Sequence, residues 1–368
     1  MDVMQELGNY KEKVDSRLKN FFDKEIEEFG YSDNIYSIFL SFLKEYTLRG
    51  GKRIRPAFVY YSYLLFADRT NSNEKADITI DEVITISMIP ELKQTFFLGH
   101  DDFMDLSDKR RGGKSLHKMF EKFYQNIDGI VEKKIMHQSN SMAVLAGNFA
   151  NALSEKIILN TDLPIEKKNT ILEILNKTDI STLYGQALDV HSGILPEILT
   201  EEELLEIHLN KSAKYTIESP LLIGAELAGA SEEQQKILSD YAIPLGQAFQ
   251  IEDDNKGLFG DEKKLGKPAD SDLKEGKNTL LIIKALEKAD NLEKKVIYYC
   301  LGNQDIDSEM IETVRDIVIS TGSLDYSVNL AKDLISESKE YLNQLENVNP
   351  DAKEFLLAFA DYMLDREH

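Results

Sequence analysis

The side chains best suited to chemistry lie in Phe96-Phe97-Leu98-Gly99-His100-Asp101-Asp102-Phe103-Met104-Asp105 and the following Leu106-Ser107-Asp108-Lys109-Arg110-Arg111-Gly112. In a helix, Asp101 and Asp105 stand one turn apart on one face. Two carboxylates stacked in this way repel unless a cation sits between them. Oxygen donors at that spacing suit Mg²⁺, which takes one or two carboxylates and keeps its other positions for water and phosphate oxygens. Arg110 and Arg111 supply planar forks that match phosphate. Carboxylates for a metal beside arginines for phosphate point to a diphosphate site. Taken alone, the stretch reads as well as a solvated acidic helix end followed by a basic loop, because short acidic motifs recur by chance.

Two further stretches shift that balance. Phe249-Gln250-Ile251-Glu252-Asp253-Asp254 again sets adjacent acids on an apolar, helix-like background. It leads to Lys264-Leu265-Gly266-Lys267-Pro268 and then Asp272-Leu273-Lys274-Glu275-Gly276-Lys277. Upstream, Gly50-Gly51-Lys52-Arg53-Ile54-Arg55-Pro56 is a loop entering a helix. Gly50 and Gly51 permit close backbone approach to a ligand. Lys52 and Arg55 lie three apart and can converge on one phosphate. A helix N-terminus disfavours cations, so their placement makes sense when an anion arrives. In this order, from about residue 48 to about residue 285, the motifs resemble the trans-isoprenyl diphosphate synthases, or polyprenyl synthetases. The short-chain farnesyl and geranylgeranyl diphosphate synthases are the members they are most similar to.

The resemblance implies roles. Asp101, Asp105 and Asp253 would hold Mg²⁺, about three ions per site. Arg110, Lys211 and Lys267 would bind the departing allylic diphosphate, with Gln250 and Lys277 beside them. Lys52, Arg55, Gln94 and Arg111 would hold isopentenyl diphosphate. Lys211-Ser212 resembles the family's Lys-Thr motif; Ser212 keeps the hydroxyl, whose dipole can stabilise a nearby cation. Gln186 and Asp189 resemble pocket-lining polar residues, or equally a satisfied buried pair. Phe96 and Phe97 resemble the floor that limits product length, or else are ordinary core residues. Helical geometry sets Phe97 one turn below Asp101 and Phe96 on nearly the opposite side. With both aromatics, the implied product is farnesyl diphosphate. Geranylgeranyl diphosphate is the alternative within the family, and a non-catalytic subunit of a heteromeric synthase is the alternative of another class. A terpene cyclase would not need Lys52, Arg55 and Gln94.

The sequence also departs from the family. Lys114 stands where proline is usual, Asn148 where Asp commonly follows Gly147, and Gly257 where a third Asp would complete the second acidic motif. His117 reads as a site-lining or an ordinary loop histidine. Residues 118–139 read as an insertion, or a flap over the site.

The elements that must position these groups read as helices. Only 20 Gly and 8 Pro occur in 368 residues, which argues for long uninterrupted helices. Val14, Leu18, Phe21 and Phe22, then Ile38, Phe39, Phe42 and Leu43, recur at helical spacing on either side of a break at Gly30–Asn34. A core helix over 57–67, a polar loop over Asp68–Asp77 and one helix from about Asp81 through Asp105 follow. Leu280, Leu281, Ile283 and Leu286 begin further amphipathic helices. Periodicity alone supports a mostly helical chain. The resemblance implies one all-α domain over residues 1–368, with roughly ten or more helices around a central cavity and the acidic helices facing each other at its mouth, assembled as a homodimer.

A net charge of −22 disfavours nucleic acid as a partner. It also means that an anionic substrate needs local positive charge against the overall field. Cys300 is the only cysteine, so no internal disulfide can form, as suits a reducing cytoplasm. Met1–Glu6 lacks signal-peptide character, and no apolar run of about 18 residues predicts a membrane span.

Overall fold

In a computed structural model, residues 2–28, 35–67, 78–194, 198–260 and 271–364 are described, and they are almost wholly helical. The Gly30–Asn34 break, the Asp68–Asp77 loop and Lys267, with Lys264 and Pro268, lie outside the described residues. The all-α expectation holds. The structure's contacts group the chain into two compact units.

The first unit comprises Asp2–Tyr63 and Asp68–Leu172. Helix α1 (Val3–Glu28) buries Leu7, Tyr10, Val14, Leu18 and Phe22, the stripe that a 3.6-residue period lays on one face. Helices α2 (Ile35–Leu48) and α3 (Ile54–Phe66) follow. The single helix expected over Asp81–Asp105 is two. Helix α4 (Ile80–Ile86) starts on a Thr79–Glu82 capping box and ends at Ser87, and α5 (Ile89–Met104) begins with Pro90 in its first turn. Proline lacks the N–H that a continuing helix needs, yet suits a helix start. Helix α6 (Leu116–Gln125) covers the first part of the expected insertion and buries Met119 and Phe120. Residues 132–139 open α7 (Glu132–Leu159), which packs along both α5 and α6. The 118–139 stretch is thus mostly regular helix.

The second unit holds Glu173–His368 with Leu64–Ala67. Helix α8 (Ile165–Ser192) enters it. Helix α9 (Glu201–Ile207) begins on a Thr200–Glu203 capping box and runs into an eleven-residue π-helical segment, His208–Glu218. Helix α10 (Ser219–Ala228) ends on left-handed Gly229. Helix α11 (Glu232–Phe259) packs against the π segment and against the Ser323–Asn343 helix. Its Tyr241 is fully buried and donates to the Leu356 carbonyl at 2.8 Å.

A π turn widens the helix and recurs at functional sites. Here it brings Lys211 and Ser212 against two helices that approach through glycine. A Cβ on Gly185 of α8 would overlap the backbone nitrogen of Lys211, and one on Gly246 of α11 would overlap Ala213. Backbone cannot retreat as a flexible side chain can. Gly185→Ala is therefore expected to cost about 1–3 kcal/mol, read as a lower urea midpoint; an unchanged midpoint would contradict this packing.

Candidate active site

The two arginines that follow the first acidic motif are presented by a hairpin. Strands β1 (Lys109–Arg110) and β2 (Gly113–Lys114) pair antiparallel. The connecting residues, Arg111 (φ 50°) and Gly112 (φ 74°), are both left-handed, as a tight two-residue hairpin requires. A non-glycine residue held there is strained, and such strain gathers at functional sites. Arg49 holds the hairpin from outside through the Lys114 carbonyl at 2.6 Å.

Arg110 turns inward. Its Nε donates to Asp102 Oδ1 at 2.7 Å, its Nη2 lies 2.5 Å from the same oxygen, and Asp101 Oδ2 is 3.6 Å away. The Tyr46 hydroxyl donates to Asp102 Oδ2 at 2.6 Å. Burial pushes the Asp102 carboxyl up from its ordinary range, against the pull of Arg110 and Tyr46. Arg110, Arg111, Gln94, Thr95, Leu98 and Tyr46 line one small cavity. Within it Gln94 Oε1 is buried and accepts no hydrogen bond among the described residues. A buried orphan acceptor beside two guanidiniums is an incomplete polar site.

The Gly50–Arg55 loop closes on the same arginine. Gly51 (φ 83°) has no side chain, and a Cβ there would stand 3.0 Å from Arg111 Nη1. Lys52 is half-buried and Arg55 buried. Between them Arg53, also left-handed (φ 53°), is fully buried. Its Nε reaches Asp15 at 2.6 Å and its Nη1 reaches Glu91 at 2.5 Å. Burial and the neighbouring Arg53 and Arg55 lower the Arg111 pKa, with Glu91 opposing.

Asp101 and Asp105 close α5: the Asp105 N–H donates to the Asp101 carbonyl at 2.8 Å. The negative end of the helix dipole lies here and disfavours carboxylates, which the Arg110 guanidinium 3.6 Å from Asp101 offsets. Both are only partly exposed. Among the described residues, no three His, Cys, Asp or Glu side chains already converge as a metal cage. A pair of hard oxygen donors with room for water and phosphate fits Mg²⁺, which is rarely enclosed by protein alone.

Phe96 is buried, and its ring packs 4.7 Å from that of Phe97 and 5.0 Å from that of His100. The 100° step separates the two Cα–Cβ bonds, yet the rings lean together into one aromatic wall. Where α5 meets α7, a Cβ on Gly147 would crowd His100 and the Phe96 carbonyl.

In the second unit Lys211 is paired with Asp189 at 2.5 Å. The Ser212 hydroxyl donates to Gln250 Oε1 at 2.7 Å, and Gln250 Nε2 donates to Asp254 Oδ1 at 2.9 Å. Buried His208 approaches Asp254 Oδ2 at 3.4 Å. This chain runs from the π segment to α11 and leaves Asp253 exposed on its own face. Gly257 leaves no empty place: a Cβ there would overlap Asp272 Oδ2. A buried carboxylate from further along the chain thus fills the space a side chain at 257 would take. Lys277 stands 2.7 Å from Glu275 and 3.9 Å from Asp272.

The sequence reading passed over Arg53, Asp102, Asp254, His208, Glu91 and Asp15. The first three sit beside residues it chose, and adjacency was their signal. Glu91 carried a weaker one, an acid in an otherwise apolar helix start. Nothing marked Asp15, some 38 residues before its partner.

The molecule is therefore an all-α protein with a small arginine-lined cavity and paired carboxylates, groups suited to a diphosphate. Residues 37–318 match the family model described as polyprenyl synthetase, and the chain belongs to that family. It is a prenyltransferase. It is 32% identical to a short chain isoprenyl diphosphate synthase of Methanocaldococcus jannaschii, over 97% of this chain and 95% of that protein. It is 33% identical to a geranylgeranyl diphosphate synthase of Sulfolobus acidocaldarius, over 86% of this chain and 87% of the relative. The fold is similar to that of a geranylgeranyl pyrophosphate synthase from Corynebacterium glutamicum, solved with isoprenyl diphosphate and magnesium. That match has a TM-score of 0.89 at 27% identity and covers 98% of this chain and 99% of the other.

His117, in the first turn of α6, is buried with its Nδ1 3.2 Å from Ser115 Oγ. Burial first, then the Lys118 charge, lowers its pKa below the ordinary 6.5. The folded chain thus binds this proton less readily than the unfolded one. The contribution is complete above pH 6.5 and is lost as pH falls below it. Urea unfolding should show the wild type weakening toward about pH 5 more steeply than His117→Gln. Parallel curves would contradict the assignment.

Proposed function

We propose that this prenyltransferase joins isopentenyl diphosphate to an allylic diphosphate, dimethylallyl or geranyl, and accumulates farnesyl diphosphate. The observation that carries the reading is the Gln94–Arg110–Arg111 cavity at the acidic end of α5. Its Arg111 would hold one diphosphate, and Arg110 with the metal held by the paired carboxylates further along α5 would hold a second.

Asp101, Asp105 and Asp253 would hold Mg²⁺, and Arg110, Lys211 and Lys267 would pair with the allylic phosphates. Bound Mg²⁺ would neutralise the diphosphate as its C–O bond breaks. Lys52, Arg55, Gln94 and Arg111 orient isopentenyl diphosphate so that its double bond forms the new C–C bond to the allylic cation. The Ser212 and Gln250 dipoles would stabilise such a positive charge. A proton then leaves to the released diphosphate, restoring a double bond. The remaining work is positioning and exclusion of water. Asp272 beside Gly257 supports a functioning second acidic motif, which weighs against a non-catalytic subunit.

The Phe96–Phe97 wall supports the farnesyl product. The names of relatives, geranylgeranyl diphosphate synthase among them, favour a second reading with one isoprene unit more. We also propose a homodimer: α8 exposes Ile180, Leu183, Tyr184 and Val190 at helical spacing, an apolar stripe suited to a second copy. A cytoplasmic location is supported by the single cysteine. No helix among the described residues is long and apolar enough to cross a membrane.

Asp101→Ala and Asp253→Ala should each lower condensation on the order of a hundredfold or more at fixed Mg²⁺. Full activity in either would sink the metal assignment. Phe97→Ala should lengthen the product, read by mass; unchanged length would remove Phe97 as the floor.

A further inference from the structure

One fully buried charge in the first unit belongs to a residue with no role in the reaction as described. Arg53 has a fully buried side chain, is held at φ 53°, and spans Asp15 on α1 and Glu91 on α5. Removing a guanidinium from water costs several kcal/mol, and an apolar replacement is often as stable. Stability alone is therefore a weak reason for this arrangement. Its position offers another. Arg53 lies between Lys52 and Arg55, the pair assigned to isopentenyl diphosphate. Its partner Glu91 is one turn before Gln94 on α5. Glu91 also acts on Arg111, opposing the shift that burial and the neighbouring arginines impose.

We propose that Arg53 is a positioning residue: it engages the Glu91 carboxylate, so that Arg111 stays turned to the diphosphate of isopentenyl diphosphate rather than to Glu91. The inference rests on the function proposed above. Here Arg53, Arg55 and Arg111 share two carboxylates, buried Glu91 and half-buried Asp15, which also pairs with Lys11 at 2.5 Å; each carboxylate takes the cation offered at best geometry. Arg53 offers two nitrogens to two carboxylates at once. Without it, the Glu91 carboxylate would draw Arg111 from the ligand. Arg53 also ties the glycine loop to α1 and α5, which places Lys52.

The electrostatic reading makes a prediction that a merely structural role does not. Arg53→Gln should raise the KM for isopentenyl diphosphate by about tenfold, with kcat and the KM for geranyl diphosphate changed little. Adding Glu91→Gln should restore most of the lost affinity, because the competing carboxylate is gone. Absence of any rise in the single variant would overturn the proposal. So would a rise that E91Q does not rescue, or a parallel fall of all constants with the melting temperature. If R53Q does not fold, R53K keeps a charge for Glu91 but loses the fork that also reaches Asp15, so it is expected to raise the same KM by about three- to tenfold, again rescued by E91Q; no rise there would also overturn it. The wild type is run alongside. If it fails to condense the two substrates, the proposed reaction is wrong. The clamp is then read from calorimetric titration of inorganic diphosphate, where R53Q should bind more weakly than wild type and the double variant should recover; equal binding by all three would overturn the clamp.

Discussion

Like charges held close together are the constraint on which the rest of this structure depends. Asp101 and Asp105 stand one turn apart at the negative end of α5, and Arg110 and Arg111 share one cavity with an acceptor that no described residue satisfies. Like charges this close repel, and more strongly where water is scarce. A partner of opposite sign, a divalent cation for the acids or a diphosphate for the arginines, would relieve that repulsion. A chain with net charge −22 could have neutralised those arginines many times over. It does so only in part. Arg110 is tied to Asp102, while Arg53 takes Glu91 and Asp15.

The helices serve that arrangement. Helix α5 carries Glu91, Gln94, the aromatic wall and the first acids along one rod. One element thus fixes the spacing between Gln94 and the Asp101–Asp105 pair. Its break from α4 at Pro90 aims it independently of the preceding turn. In the second unit the π segment does comparable work. It swings Lys211 to Asp189 and Ser212 to Gln250, and bare glycines let α8 and α11 come close enough for those bonds to form. The candidate site sits on strained or irregular backbone: a left-handed arginine in a hairpin, another in the glycine loop, and a wide helical turn.

Much of this was legible in the amino-acid order, for identifiable reasons. Helix reads out because apolar residues recur locally, as Leu7, Val14, Leu18 and Phe22 do. The acids and bases read out because they cluster in short motifs. What the order does not carry is which member of a cluster turns inward. Asp101, Asp102 and Asp105 look alike as letters; only packing against Tyr46 shows that Asp102 belongs to the interior. Nor does the order carry pairings across long separations, such as Asp15 with Arg53 or Asp272 with the space above Gly257. The missing third acid read as a loss, and the structure shows another carboxylate in that space. Residues 118–139 read as an insertion because they are polar, although α6 hides Met119 and Phe120 on its inner face.

The most direct measurement is a product assay on the purified chain. It uses Mg²⁺, labelled isopentenyl diphosphate and, in separate reactions, dimethylallyl, geranyl or farnesyl diphosphate, with chain length read by mass. Condensation with the two shorter primers, farnesyl diphosphate accumulating and being refused as a primer, is the result this account predicts. A geranylgeranyl product would keep the chemistry and move the floor deeper. No condensation with any primer would contradict the account at its centre.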